Sequence, residues 1–289
     1  VNDSALITIG LPIALAIIMF GLGLSLTTDD FARVARSPRA VVIALVLQIL
    51  VLPVIAFGLV VAFDLDPLLA VGVMLLAASP GGTTANLFSH LFRGDVALNV
   101  TLTAVNSVLA AVTIPLITNL AIGYFDADGE LGLQLGKVMQ VIAIVLIPVG
   151  IGMVVRRRNP GVAARADKPV RIFSIVVLVA VSVGAILGER DNIADYVQQV
   201  GLVTGLFCAI SLGLGYGVTR LLDLDHRQAV ACSMEIGIHN TTVALTIALS
   251  VLDSTEVAIP AAVYSILMYV LAASFGWAIT RRHPAPATT

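Results

Sequence analysis

The chain has 289 residues, 58% of them apolar and only 12% charged, with a mean hydropathy of +1.02 and a formal net charge of −2. An ordinary soluble domain carries about twice that charged fraction, so this class is excluded. The small net charge is no footing for a nucleic-acid partner.

Apolar runs of about 20 residues, the length a helix needs to cross a bilayer, recur from end to end. They are too long and continuous for the roughly ten-residue alternating strands of a membrane barrel. The runs predict nine transmembrane helices, at about 5–26, 40–63, 68–92, 96–125, 132–155, 171–188, 196–219, 228–252 and 259–279. The expected fold is therefore an all-α polytopic membrane protein, with residues 1–289 forming a single transmembrane unit. The first run is of full length and reads as a span, not a cleaved signal.

The second predicted helix carries Gln48 at mid-depth, five residues before Pro53. A buried amide there serves either as glue between helices or as a ligand. The third reads "LLAVGVMLLAASPGGTTANLFSHLF", with Pro80, Gly81 and Gly82 near its centre. Proline removes a backbone donor and clashes with the preceding turn, and glycine weakens a helix, so a break near the bilayer midplane is expected. On the fourth, Asn99, Thr103 and Asn106 fall at i, i+4 and i+7, with Ser107 beside them. This stripe faces protein or water. It suits interhelical hydrogen bonding or, with Asn86 and Glu235, an oxygen-lined cation site.

Cys208 in the seventh helix and Cys232 in the eighth read as small buried apolar residues. The eighth helix holds "ACSMEIGIHNTTVAL" (231–245), in which Glu235, His239 and Asn240 surround Gly237. A mid-membrane carboxylate costs on the order of 3 kcal/mol, a cost kept mainly for function or a strong partner. His239, four residues on, shares the face of Glu235. It is a hydrogen-bonding residue, a proton site or a neighbour that tunes Glu235.

Both interruptions are followed by a threonine pair, Thr83–Thr84 and Thr241–Thr242, and "AVGVMLLAASPGGTT" aligns with "AVACSMEIGIHNTT". The third and eighth helices run in opposite senses, so two crossing discontinuous helices imply an inverted repeat of helices two to four and seven to nine. That arrangement points to the binding site of a secondary transporter. Unwound backbone is tolerated at membrane depth only where protein or a wet cavity surrounds it. Half-helix N-termini near Thr83–Thr84 and Asn240–Thr241 offer positive ends and N–H groups to an anion. Carbonyls near Ala78–Pro80 and Glu235–Ile238 suit a cation.

Orientation follows from the basic residues, which short loops retain on the cytoplasmic side. With the N-terminus outside and the C-terminus cytoplasmic, the inner side carries Arg33, Arg36, Arg39, Arg93, Arg156, Arg157, Arg158, Arg165, Lys168, Arg171, Arg220, Arg227, Arg281 and Arg282. Only Lys137 and Arg190 fall outside, where "DLD" (64–66) and "DADGE" (126–130) are acidic. Anionic lipid is the expected partner of the basic face.

The stretches "SPGGTTANLFSHLFRGDVALNVTLT" (79–103), "MEIGIHN" (234–240), "IIMFGLGLSL" (17–26) and "LQILVLPVIAF" (47–57) resemble the bile acid:sodium symporter family. The resemblance implies a core domain, about 40–125 and 196–279, moving against a panel domain, about 5–26 and 132–188. It implies two sodium sites behind the crossing breaks: Ala85, Asn86, Asn99, Thr103 and Glu235 for one, and Gln48, Glu235, Ile236, Ile238 and His239 for the other. It places the anionic substrate near Thr83, Thr84, Asn240 and Thr241. Ala85 and Asn99 stand where the family often has Ser, and His239 where Gln is common. Met268 and Tyr269 replace a polar pair of the bile-acid carriers.

The expected function is sodium-coupled symport of a small organic anion by alternating access, in the cell (inner) membrane. Imidazole is a poor sodium ligand, so a proton shared between Glu235 and His239 is the alternative driving ion and leaves the second sodium site in question. An enzyme is not expected: neither an H-E-x-x-H pair nor a G-x-S-x-G elbow is present. The polar residues cluster at one depth instead of lining a continuous path, which disfavours a channel.

Overall fold

The computed structural model describes residues 10–127, 135–188 and 193–281. Residues 5–9 of the first expected span, residues 128–130 of the acidic loop, Arg190 and Arg282 lie outside the described residues. The described residues form the helices α1 (Leu11–Ser25), α2 (Thr28–Ala32), α3 (Pro38–Ala62), α4 (Pro67–Ala77), α5 (Thr83–Leu91), α6 (Val96–Tyr124), α7 (Leu135–Arg158), α8 (Pro160–Gly188), α9 (Ile193–Leu221), α10 (His226–Gly237), α11 (Thr241–Ser250) and α12 (Thr255–Arg281). No strand occurs among the described residues.

Five helical stretches are long and apolar enough to cross a bilayer: Pro38–Ala62, Val96–Tyr124, Met139–Arg158, Gln198–Leu221 and Thr255–Arg281. A sixth is obtained if α1 is joined to the short helical stretch after it, from which it is bent by 67°. The third and eighth expected spans are each divided in two. Their halves have 11 and 9 residues, and 12 and 10 residues. At about 1.5 Å per residue none of these crosses a hydrocarbon core of about 30 Å alone.

The outward faces are apolar. Val42, Val46, Leu50 and Val54 on α3 are exposed at four-residue spacing, as are Val108, Val112, Leu116 and Leu120 on α6. The polar side chains turn inward instead: Gln48, Asn99, Thr103, Asn106, Glu235 and His239 are all buried. An exposed apolar surface of this extent is a liability in water and normal against lipid chains.

Short connections order the chain. After α3, Asp64 adopts φ 50° and Asp66 caps α4 by accepting from Leu68 N–H. After α9, Asp223 adopts φ 59° and Asp225 caps α10 by accepting from Gln228 N–H. Aspartate tolerates this left-handed conformation better than most side chains. The backbone pattern matches too: Leu65 N–H donates to Val60 O and Leu224 N–H to Thr219 O. A related turn after α5 puts Arg93 at φ 60° and lets Asp95 cap α6.

The sixth expected span begins earlier than its hydropathy indicated. α8 starts at Pro160, where Asn159 accepts from Val162 N–H, and continues through Arg165 and Lys168. Proline at the first helical position needs no backbone donor, so the polar segment extends the helix. Lys137, within the fifth expected span at its outer end, falls within the first turn of α7.

α1 packs on α7 and α8. A Cβ at Gly23 would strike the Val149 backbone, and one at Gly152 the backbone of Phe20 and Leu24. The remaining helices pack mainly among themselves, with α4 against α6 and α12, and α9 against α10 and α12. Small residues let such backbones approach closely within a membrane.

Candidate ion and anion site

The two breaks meet. The segment between α4 and α5 lies against the segment between α10 and α11, and Asn240 N–H donates to Ser79 O at 3.1 Å. Gly81 is required here: a Cβ on it would stand 2.7 Å from Glu235 O and 2.8 Å from Ile238 O. The carbonyl ends of α4 and α10 thus approach one another, an arrangement whose like partial charges a cation would relieve.

Glu235 is fully buried. Its Oε2 accepts from Thr103 Oγ1 at 2.7 Å and its Oε1 from Asn106 Nδ2 at 3.1 Å. Asn86 Oδ1 lies 3.4 Å from the same Thr103 hydroxyl. One hydroxyl has one hydrogen, so Thr103 satisfies either Glu235 or Asn86, and the other oxygen remains available. Asn99 donates through Nδ2 to Ala231 O at 2.8 Å, while its buried Oδ1 has no protein partner. Ala85 is buried one residue before Asn86. Carboxylate, hydroxyl and amide oxygens without enough donors fit a hard monovalent cation.

The second expected set borders two spaces. His239 lines a cavity of about 600 Å³, whereas Gln48 lines a separate void of about 10 Å³ with Ala77, Ala78, Pro80 and Asn106. Both amide atoms of Gln48 lack partners, as does Asn106 Oδ1. Gln48 lies in a π-helical turn at Leu47–Val51, a local widening that recurs at functional positions. Ile236 and Ile238 flank Gly237, the last residue of α10, and both are buried. Glu235 is linked to the Gln48 void through Asn106.

The large cavity lies between α1 and α8 on one side and α5, α11 and α12 on the other. Thr83, Thr84, Asn86, Asn240, Thr241 and Thr242 contribute to its polar surface, with Ser25, His90, His239 and Tyr269. The two half-helix N-termini differ. At α11, the expectation of open N–H groups at Asn240 and Thr241 is corrected. These donate to Ser79 O and His239 O, and the Asn240 side chain caps Val243 N–H at 3.2 Å. At α5, the N-cap is Gly82, which has no side chain to cap Thr83 or Thr84. Asn240 Nδ2 sits beside it, 3.4 Å from where a Gly82 Cβ would be. Donors therefore converge on α5, with Asn240 reaching across from α11.

Sequence reasoning passed over Tyr264 and Phe207. Tyr264 donates to Gly237 O at 2.8 Å and contacts His239 Nδ1 at 3.0 Å, and Phe207 packs on the imidazole with ring centroids 5.1 Å apart. A tyrosine hydroxyl in an apolar span needs a partner, and that was the available signal. Met268 and Tyr269 also line the cavity, Tyr269 stacked on Phe88 at 6.0 Å.

Three relatives share most of the chain. It is 31% identical to the "Uncharacterized sodium-dependent transporter YocS" of Bacillus subtilis (strain 168), over 88% of this chain and 78% of that protein. It is 30% identical to the "Probable sodium/metabolite cotransporter BASS1, chloroplastic" of Arabidopsis thaliana, over 90% of this chain and 64% of the relative. It is 27% identical to the ileal sodium/bile acid cotransporter of Homo sapiens, over 84% and 70%. The family model described as Sodium Bile acid symporter family matches residues 12–196, and with these relatives it makes this chain a member of that family.

Proposed function

We propose that the chain is a sodium-coupled symporter of a small organic monoanion, working by alternating access in the cell membrane. The observation that carries this reading is the meeting of two broken helices, with a buried carboxylate at their carbonyl ends and donors converging on the neighbouring cavity.

Nine spans follow if α4 with α5, and α10 with α11, each complete one crossing. The paired turns support an inverted repeat: Asp64 and Asp66 precede the first broken span as Asp223 and Asp225 precede the second, with the same backbone hydrogen bond closing each turn. The core domain is then α3–α6 with α9–α12, and the panel is α1, α7 and α8. An N-terminus outside and a cytoplasmic C-terminus follow from the distribution of basic residues.

One sodium ion is held by Glu235, Asn86, Asn99, Thr103 and the Ala85 carbonyl. A second is held by Glu235, the Ile236 and Ile238 carbonyls, His239 and Gln48. Binding neutralises the carboxylate and draws the breaks together, which shapes the anion site at Thr83, Thr84, Asn240 and Thr241. The cavity lining includes no Lys, Arg, Asp or Glu among the described residues. The uncapped N-terminus of α5 supplies roughly half a unit charge, which suits a single carboxylate better than a dianion.

The relatives' names cover metabolites and bile acids. A thermal-shift screen of organic monoanions with and without sodium identifies the passenger, since a bound ligand raises the melting temperature. In proteoliposomes, Glu235→Gln then abolishes sodium-driven uptake of that anion, and full sodium dependence in this variant refutes the assignment. The second reading, proton coupling, draws on His239 Nε2, buried without a partner. Uptake driven by a pH gradient in the absence of sodium decides for it.

A further inference from the structure

We propose that Tyr264 is the positioning residue for the coupling cation: its hydroxyl fixes the hydrogen of His239 on Nδ1 and leaves the Nε2 lone pair as the group that His239 offers. This rests on the sodium reading above and deepens it.

Tyr264 Oη lies 2.8 Å from Gly237 O and 3.0 Å from His239 Nδ1. Two buried oxygens at 2.8 Å need a hydrogen between them, and a carbonyl has none. The tyrosine hydrogen is therefore committed to Gly237. Toward His239 the same oxygen is left only as an acceptor, so Nδ1 carries an N–H. In the neutral imidazole Nε2 then bears a lone pair, and it is buried with no protein donor. A hydrogen on Nε2 instead would turn a positive N–H edge toward the ion.

Packing holds the ring in this setting. Phe207 lies tilted against the imidazole at 5.1 Å, and Tyr264 meets it edge-on at 5.4 Å. Both aromatics are fully buried, so exchanging Nδ1 and Nε2 by a ring flip requires displacing them. Tyr264 also selects the carbonyls. Gly237 O is occupied by its hydroxyl, with Cys208 Sγ at 3.7 Å. The flanking Ile236 and Ile238 carbonyls are the ones left to the ion. A glutamine at position 239 would bring its own carbonyl oxygen and need no such partner.

The test is direct in the full chain in lipid nanodiscs with 15N-labelled histidine, the His239 signals being assigned by their loss in His239→Gln. In choline chloride the expected spectrum has hydrogen on Nδ1 and a bare Nε2, and replacing choline with sodium moves the Nε2 signal most. A neutral ring protonated at Nε2 overturns the proposal. So does an unmoved Nε2 signal in protein whose melting temperature rises with sodium. Tyr264→Phe supplies the second measurement, the sodium concentration giving half of the maximal melting shift. It rises at least fivefold with His239 in place and less than twofold beside His239→Gln. Equal rises in both backgrounds reduce Tyr264 to a prop for Gly237 and overturn the proposal. If Tyr264→Phe does not fold, the spectrum of the unaltered protein decides. Absence of any sodium-dependent stabilisation overturns the sodium reading itself, and this proposal with it.

Discussion

Asn240 does two jobs with the two ends of one amide. Its Oδ1 caps α11 and its Nδ2 stands over the uncapped start of α5. Asn240→Asp separates them, because the cap oxygen is kept and the donor becomes a charged acceptor. Anion affinity is expected to fall at least tenfold, while the sodium-dependent rise in melting temperature survives. Loss of both together would show that the residue holds the break and not the passenger. Thr103 is probed in the same way. Thr103→Val keeps the volume but deprives Glu235 Oε2 of its 2.7 Å donor. The buried carboxylate then loses about 1–3 kcal/mol of compensation, and half-saturation by sodium rises several-fold, with Thr103→Ser restoring both. Residues of this kind were legible as anomalies, since a Glu or an Asn in an apolar run has to be accounted for. Tyr264 was not, because 25 residues separate it from His239 and a tyrosine among apolar neighbours looks like any core aromatic.

At the scale of elements, the breaks are set by a few residues whose backbone chemistry forbids a continuous rod. Pro80 removes a donor, and Gly81 lets the second break approach to within a methyl group's width. Gly81→Ala forces a Cβ against two carbonyl oxygens that cannot rotate away. The expected result is a destabilisation of about 1–3 kcal/mol and a loss of sodium-stabilised melting. Gly82→Ala, whose nearest neighbour would be 3.4 Å away, leaves the fold unchanged. Equal stability of the two variants would mean that the breaks do not touch as described. Both breaks could be read from Pro-Gly-Gly and from the polar cluster around Glu235. The π-helical turn at Gln48 and the early start of α8 could not. A widened turn depends on what packs beside it, and a charged first stretch looks like a loop until its proline and its Asn159 cap are seen to favour a helix.

At the scale of the whole molecule, the cavity has one wall from α1 and α8 and the other from α5, α11 and α12. Hydropathy marked out the apolar helices but could not tell which would form each wall, because the contacts join residues far apart in sequence. Alternating access requires these walls to part and close at each mouth in turn. Ser25 on α1 and His90 on α5 both line the cavity, each near the end of its helix that leads into an arginine-bearing connection. A cysteine pair, Ser25→Cys with His90→Cys, joined by a short bis-maleimide ties the two walls at that mouth. Cys208 and Cys232 are buried free thiols, so the introduced pair is the reactive one. Uptake into proteoliposomes is expected to fall at least tenfold on cross-linking, with each single cysteine variant unaffected by the reagent. Sodium should still raise the melting temperature of the tied protein, since the proposed ion sites lie where the breaks meet and not at the mouth. Undiminished uptake after complete cross-linking would mean that the walls need not separate there, and transport would have to proceed without the movement of α1 and α8 that the alternating-access proposal supposes.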